Sequence, residues 1–299
     1  QTRQQGRSPA KPMIENLDDA LAPALVHIES HLETDLSLGV LSDVASMSAY
    51  HFQRGFHSAL KESPRRYVQR LRLEKAAFWL RYFEDPIGEI ALRVGFSNHE
   101  TFARAFRRSF GLTPTEYRSQ GSGSQVLDIV GSQTPPSEGK YSLSSTTIQN
   151  LGAVPVAFVR HVGPYANLDW PLWERIHAWR AERYPNLIPT VFGVAHDDPQ
   201  VTPAESLRYD VCIAIPKPFR VDGEVGFQFL PAGSYAVTTY LGPLGDLAGE
   251  AIPYVGMQSA KLPGYRLTGL PLIEAFRSRA MHNRVGNHVI DFLLPVERV

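Results

Sequence analysis

The 299-residue sequence predicts two domains: an all-α N-terminal domain with two helix-turn-helix units, then an α+β domain built from two pseudo-symmetric β-α-β-β halves. Three observations predict this. The chain is longer than the roughly 100 to 200 residues of one ordinary domain. Ser119–Lys140 is rich in Ser, Gly, Gln and Pro, the composition of a flexible connection. On each side of that stretch the sequence repeats itself, with an offset of 50 residues before it and 79 after it. The expected boundaries are a polar flexible arm over 1–16, a helical domain over 17–120, a linker over 121–142 and the α+β domain over 143–299.

Composition limits the function. With 43% hydrophobic and 20% charged residues there is enough apolar material for two cores. No apolar run approaches the ~20 residues of a membrane helix, so an integral membrane protein is excluded and no membrane partner is expected. The one cysteine, Cys212, excludes an intrachain disulfide and a cysteine zinc cluster. It alternates with apolar neighbours, reads as a core residue and fits a reducing cytoplasm. The polar opening, Gln1–Pro12, has no apolar signal core. Formal net charge is zero, yet residues 49–118 carry thirteen basic and seven acidic side chains, a net of +6, while 145–299 carry −1. A basic segment beside a near-neutral one suggests a polyanion reader coupled to a second function, although charge alone fits a solvated helical surface equally well.

In the first repeat Val44 matches Val94, Phe52 matches Phe102, Arg54 matches Arg104, Phe56 matches Phe106, Pro64 matches Pro114 and Tyr67 matches Tyr117. Each copy reads as a short helix (Leu38–Ser46; Ile87–Val94), a tight break, and a second helix (Ala49–Lys61; Asn98–Phe110). Gly95 permits the sharp turn of the second copy, and Ser97 or Asn98 caps its second helix. Phe52, Phe56 and Leu60 share one helix face, as do Phe102, Phe106 and Phe110, which makes these faces core. The opposite faces carry Tyr50, Gln53, Arg54, His57 and Lys61 in one copy and Glu100, Thr101, Arg104, Arg107 and Arg108 in the other. Such side chains reach base edges and phosphates: Arg pairs with guanine, Gln with adenine, and Glu accepts from cytosine. Either stripe alone would be a solvated face; the same stripe twice, at one repeat position in a basic segment, reads as DNA recognition.

Between the units, Ser63 as N-cap, Pro64 at the first helical position and Asp85-Pro86 as a stop predict a linking helix over 64–83. Twenty residues span about 30 Å, close to the ~34 Å between successive major-groove faces. One monomer could therefore place two helices in adjacent grooves, with Arg65 and Arg66 at the start of the linking helix as phosphate contacts.

The run Ile90-Ala91, Val94-Gly95-Phe96-Ser97, Phe102, Arg104, Phe106, Phe110-Gly111, Thr113-Pro114 and Tyr117-Arg118 resembles the signature of the AraC/XylS family of bacterial transcription regulators. The resemblance implies double-stranded DNA and RNA polymerase as partners. It also places Tyr50, His51, Gln53 and Arg54 where the family's first recognition helix reads bases, and His99, Glu100, Thr101 and Arg104 where its second does. Gly55, inside the first recognition helix, departs from the pattern at a cost of ~1 kcal/mol in helix propensity.

In the second repeat Gln149 matches Gln228, Leu151 matches Leu230, Ala157 matches Ala236, Gly163-Pro164 matches Gly242-Pro243 and Pro216 matches Pro295. Each half reads as a strand (Val156–Val162; Tyr235–Leu241), a Gly-Pro turn, a helix (Leu168–Arg183; Leu244–Ser259) and two strands (Val191–His196 with Tyr209–Ile215; Leu267–Phe276 with Val289–Leu294). A groove where two such halves meet is a natural ligand site. Arg160-His161-Val162-Gly163-Pro164-Tyr165, Trp173-Glu174-Arg175, His196-Asp197-Asp198-Pro199, Leu207-Arg208-Tyr209-Asp210, Gly233-Ser234-Tyr235-Ala236-Val237 and Ile273-Glu274-Ala275-Phe276 together resemble the GyrI-like effector-binding domain of Rob- and BmrR-type regulators.

Strand alternation puts Leu270, Leu272, Glu274 and Phe276 on one face, and a carboxylate on an apolar face needs a partner. That partner is either an arginine of the domain or a ligand cation. The resemblance implies the second, with Glu274 as a groove acid and Tyr165, Trp170, Trp173 and Tyr240 as candidate groove walls by stacking and cation-π contact. Phe276 stands where the family often has tyrosine. The ligand class implied is a small lipophilic molecule, a cation or a neutral aromatic. The reading is thus a non-enzymatic regulator, and its alternative is a GyrI-like hydrolase or sequestering protein for small xenobiotics. His27 and His31 have a zinc-compatible spacing without a third ligand nearby, and no phosphate loop or dinucleotide fingerprint occurs. No metal, cofactor or catalytic set is expected.

Overall fold

A computed structural model describes residues 21–121, 141–168, 170–219, 224–244, 251–277 and 286–299. The arm expected over 1–16, nearly all of the linker, and the start of the helix expected from Leu244 lie outside these residues.

The first domain contains α1 (Leu21–Ser30), α2 (Leu38–Val44), α3 (Ala49–Leu60), α4 (Pro64–Tyr82), α5 (Ile87–Arg93), α6 (His99–Phe110) and α7 (Pro114–Gly121). The first helix ends before His31, whose ring instead stacks on His27 with its Nδ1 against the His27 carbonyl. The linking helix α4 starts as its sequence dictates: Pro64 needs no backbone N–H bond, and the Ser63 hydroxyl accepts from the amide of Arg66. Its first half packs with α1 and the first unit, where Tyr67 and Leu71 join Leu25, Ile28, Leu41, Phe52 and Phe56. Its second half serves the second unit, where Trp79 and Leu80 join Ile90, Val94, Phe102 and Phe106. Fully burying each of these large side chains contributes roughly 1.5–3 kcal/mol, so α4 is the shared spine of both units.

The 50-residue repeat shifts by one in the turn. The amides of Ala45, Ser46 and Met47 bond the carbonyls of Leu41, Asp43 and Ser42, and those of Val94, Gly95 and Phe96 bond Ile90, Leu92 and Ala91, an offset of 49. After the turn, Phe52 to Ser48 and Phe102 to Asn98 restore an offset of 50. Val94 therefore corresponds to Ala45, not Val44, and the second turn carries one more residue. Gly95 has φ 88°, and a Cβ there would overlap the Leu32 carbonyl and the Arg72 guanidinium.

The second domain holds β1 (Ser142–Leu143), β2 (Thr147–Leu151), β3 (Val154–Val162), α8 (Trp170–Arg183), β4 (Val191–Ala195), β5 (Arg208–Ala214), β6 (Gly226–Leu230), β7 (Gly233–Gly242), α9 (Ile252–Ala260), β8 (Tyr265–Leu267), β9 (Leu272–Phe276) and β10 (His288–Arg298). One antiparallel path runs β6-β3-β5-β4-β9-β10-β7-β2, symmetric about the β4–β9 ladder. The strands β2 and β6, which the sequence marked only as repeat-matched residues, exchange partners: each precedes the first strand of its own half but pairs with that of the other. Only two residues separate β2 from β3, and two separate β6 from β7, so the sheet curls until its ends lie side by side. One face forms a common core with Phe158, Phe192, Cys212, Tyr235, Ile273 and Leu293. The other packs α8 in one half, and Ala251 and Val255 in the other.

The strand expected over Leu267–Phe276 is two. Both β8 and β9 pair with β10, but five residues, 268–272, stand against two of β10, 294 and 295. Gly269 (φ 70°) and Pro271 divert the chain outward. Leu270 consequently lies in that loop and not on the strand face with Glu274.

Candidate functional site

The two recognition helices begin with side-chain caps: Ser48 Oγ accepts from the amide of His51 and Asn98 Oδ1 from that of Thr101. The caps set the first turns, which bring Tyr50 and His51 in one copy and His99, Glu100 and Thr101 in the other to the outer surface. Tyr50 is 70% exposed, and His51, Gln53, Arg54, His57, Glu100, Thr101, Arg104, Arg107 and Arg108 are exposed with it. One ring nitrogen of His51 lies 3.0 Å from the capping Ser48 hydroxyl. Arg104 stands 3.8 Å from Glu100 one turn away, with both solvated. Arg65 and Arg66 are exposed at the start of α4. A rigid core under two rows of solvated cations and hydrogen-bonding groups suits phosphate and base contact.

The second site forms where the two halves of the sheet meet. Glu274 on β9 is 5% exposed, and Tyr209 on β5 donates a 2.5 Å hydrogen bond to its Oε2. Gly193 of β4 pairs opposite Glu274, and a Cβ there would overlap the Tyr209 phenol, so only glycine leaves room for the pair. Burial raises the Glu274 carboxyl, against the pull of the Tyr209 hydrogen bond. The Tyr209 phenol is raised in turn by burial and by the charge of Glu274. Among the described residues no Lys, Arg or His forms an ion pair with Glu274; the partner is a phenol, not an arginine. Trp173 meets Phe276 edge to face at 5.3 Å, and Tyr165 meets Tyr209 likewise at 6.0 Å.

These groups line a cavity of about 1260 Å³ that includes Tyr165, Trp170, Trp173, Tyr209, Glu274 and Phe276, above the roughly 300–1,000 Å³ of typical small-molecule pockets. Tyr240 does not line it. Alternation along β7 turns that ring to Phe292 and Ile290, fully buried, with its hydroxyl donating to the Pro243 carbonyl. Tyr209 was missed as a site residue because its relation to Glu274 depends on the β5-β4-β9 strand order; its place in the Leu207-Arg208-Tyr209-Asp210 run and its alternation with Val211 and Ile213 were the visible signals.

The cavity extends to the first domain, which docks on the sheet at two places. In the first, Glu29 of α1 accepts from Arg160 (2.6 Å), Arg208 (2.7 Å) and Tyr67 (2.9 Å). Asp210 and Asp197 hold the same two arginines from the sheet side, and His196 lies 2.7 Å from Asp210. Burial alone would raise the Glu29 carboxyl, but Arg160, Arg208 and His196 override it and hold it at about 2. In the second, Tyr82 donates to Asp198 (3.0 Å), and Arg266 pairs with Asp85 (3.1 Å) while its guanidinium lies over the Trp79 ring.

A helical domain with two capped, basic recognition helices, joined to a curled sheet around an acidic aromatic cavity, defines a DNA-binding regulator with an attached small-molecule domain. Residues 41–120 match the model of a helix-turn-helix domain, and 145–297 match that of the GyrI-like small molecule binding domain. The chain belongs to the AraC-type DNA-binding transcriptional regulators that carry a GyrI-like effector-binding domain. It is 27% identical over 297 residues to the transcriptional regulator Rob of Salmonella typhimurium, covering 92% of this chain and 96% of that protein. Over 91 residues it is 35% identical to the regulatory protein SoxS of the same organism, covering 30% of this chain and 85% of SoxS. Among solved structures, a transcriptional regulator with an AraC-type DNA-binding domain from Chromobacterium violaceum is 30% identical, covers 34% of this chain and 92% of its own, and has a TM-score of 0.33. Among the described residues no helix is long and apolar enough to cross a membrane, and no cluster of His, Cys, Asp or Glu could hold a metal ion.

Proposed function

We propose that this regulator reads an asymmetric double-stranded site as a monomer and that an apolar cation or neutral aromatic bound at Glu274 sets its output, with RNA polymerase as the partner that receives it. Base contacts come from Tyr50, His51, Gln53 and Arg54 in the first unit and His99, Glu100, Thr101 and Arg104 in the second. His57, Arg65, Arg66, Arg107 and Arg108 contribute phosphate contacts. The observation that carries the effector reading is a buried carboxylate whose one hydrogen-bond partner among the described residues is a phenol, in a cavity lined by Tyr165, Trp170, Trp173 and Phe276. Burial without a cation disfavours the ionised form, and a cationic ligand that stacks on those rings restores it. Neutral aromatics share the stacking and lose the charge selectivity.

The test combines two binding measurements on the full chain. A cationic aromatic dye should quench tryptophan fluorescence in the wild type and bind weakly to Glu274→Gln, which keeps the shape and removes the charge. Gel shifts on a site selected from random DNA should then respond to that dye by about 1–3 kcal/mol where affinity is the channel. Equal dye binding by both proteins removes Glu274 from the site. Binding without any change in DNA affinity or transcription leaves the domain a sequestering module.

The Tyr209–Glu274 pair also favours a second reading, because a hydrolytic glutamate needs a polar partner to position water. Turnover of a strained cyclopropane substrate by the wild type, lost in Glu274→Gln, would establish it; absence of turnover leaves the regulator alone.

A further inference from the structure

The cavity at Glu274 is not closed by the sheet domain. Its far wall is the linking helix α4 of the DNA-reading domain, from which Leu71, Glu74, Lys75, Phe78 and Tyr82 line it. Five carboxylates from the two domains border one space; Glu29 and Asp197 are bonded to Arg208 and Asp198 to Tyr82, which leaves Glu74 and Glu274. Both are buried, Glu274 at 5% and Glu74 at 7% exposure; among the described residues Glu274 has no cation partner, and Glu74 shares its cation, Arg70, with Glu62. Arg70 donates through Nη1 to both Glu74 oxygens, at 3.4 and 3.3 Å, and makes its shorter bond, 2.7 Å, through Nη2 to Glu62. Of the other charges near Glu74, Asp197 repels it and Arg208 attracts it, but the guanidinium of Arg208 is already bonded to Asp197 and Glu29. Burial lifts the Glu74 carboxyl to about 7, with Arg70 pulling the other way. At both acids burial outweighs the local partners, so a cation brought by a ligand would favour the ionised form.

We propose that this is a two-carboxylate site completed by the DNA-reading domain, and that it takes an elongated apolar molecule with a cationic group at each end, one at Glu274 and one at Glu74. The proposal rests on the reading of Glu274 as a ligand acid. The volume of about 1260 Å³ accommodates a molecule longer than a single ring system. Phe78 and Tyr82 line the α4 side as the aromatic rings of α8 line the other, so both ends have apolar surface beside their acid. A ligand held this way touches the helix on which both recognition units are built. Occupancy then biases the DNA-reading face by direct contact, without a relay through the sheet.

Polymethylene-linked bis-pyridinium salts of graded length, and mono-pyridinium salts of matching alkyl length, test this on the full chain through tryptophan quenching. At the best length the bis-cation should bind at least about tenfold more tightly than its mono-cation, as expected for a second tethered contact. Glu74→Gln should remove that advantage, and Glu74→Asp should keep part of it. A bis-cation with no advantage in the wild type, or one whose advantage survives Glu74→Gln, overturns the proposal. If Glu274→Gln leaves mono-cation binding untouched, the reading of Glu274 itself fails. A bis-cation carrying a diazirine at one end gives an answer independent of any variant. Labelling of α4 peptides as well as β9 peptides is expected, whereas label confined to the sheet domain overturns the shared site.

Discussion

In the first helix-turn-helix unit the turn residue with positive φ is Ser46 (53°), and the recognition helix ends on Lys61 (59°); in the second unit the same places hold Gly95 (88°) and Gly111 (74°). A left-handed conformation costs a non-glycine residue roughly 1–2 kcal/mol. The first unit also has Gly55 where the second has the buried Ala105. By local sequence alone the first unit is the weaker of the two. Its compensation is long-range. Helix α1 covers it, and Glu29 and Tyr67 tie it to Arg160 and Arg208 in a buried ionic cluster. The second unit stands on its own turn chemistry and meets the sheet domain through half-buried contacts at Tyr82 and Asp85. The unit with the poorer local signals is therefore the one bound most tightly to the ligand domain.

The largest expected effect breaks that interface. Glu29→Ala removes the shared acceptor of two buried arginines and should destabilise the docked chain by about 3–5 kcal/mol. Asp85→Ala, at the partly exposed contact of the second unit, should cost under about 1 kcal/mol. Denaturant titration of both variants measures the difference, and equal costs would refute the asymmetry. The acid limb carries the same information. Folding depresses the Glu29 carboxyl from 4.5 to about 2, so its contribution is complete above pH 4.5 and is lost as pH falls toward 2. Glu29→Gln should flatten stability in that window.

The next effect lies within the turns. Gly95→Ala meets both a positive φ and the Leu32 carbonyl, and should cost about 2–4 kcal/mol. Ser46→Gly relieves strain at the corresponding place and should stabilise the first unit by a few tenths to about 1 kcal/mol. Thermal unfolding of the two variants in opposite directions is the expected result.

Much of this was legible in the sequence. In the first domain the caps and phenylalanine faces follow from local periodicity, so the five helices expected between Leu38 and Phe110 have bounds within a residue or two of those observed. The second domain was legible where a strand is continuous and less so where pairing is remote. Nothing local in Thr147–Leu151 or Gly226–Leu230 says that each pairs with the other half. Glu274 was visible because a carboxylate breaks an apolar alternation. The placement of Tyr209 and Gly193 beside it, and of Glu74 on the same cavity, was not, since it depends on strand order and on the docking of α4. Tyr240 misled because an aromatic on a strand announces burial without saying against what.

A smaller effect sharpens the comparison at the DNA face. Arg54→Ala and Arg104→Ala should each cost about 1–3 kcal/mol in DNA affinity and relax base preference in one half of the site. Arg66→Ala should weaken binding evenly across sequences as a phosphate contact. If the interface governs the first helix, Glu29→Ala should reproduce the loss of preference seen with Arg54→Ala and spare the half read through Arg104. Selection from random DNA with each variant gives the comparison, and a loss shared by both halves would show the units to be coupled through α4 alone.

The smallest effect is a repair. Gly55 lies inside α3, and a Cβ added there would meet only Leu21 Cδ1, at 3.9 Å, an ordinary van der Waals distance. Ala105 already occupies the equivalent place in α6. Gly55→Ala therefore adds helix propensity without a clash and should stabilise the first unit by about 0.5–1 kcal/mol, a rise in the thermal midpoint of a few degrees. The consequence for reading is separable from the stability. A glycine in the middle of a recognition helix lets the segment carrying Tyr50 and Arg54 adjust to the groove, whereas alanine fixes it in the geometry of the second unit. If that freedom is used, Gly55→Ala will narrow base preference in the first half-site while raising stability. If the glycine only weakens the helix, affinity will rise for every site in proportion. Lower stability would mean that the first unit requires a closer approach of α1 to α3 than the 3.9 Å contact indicates.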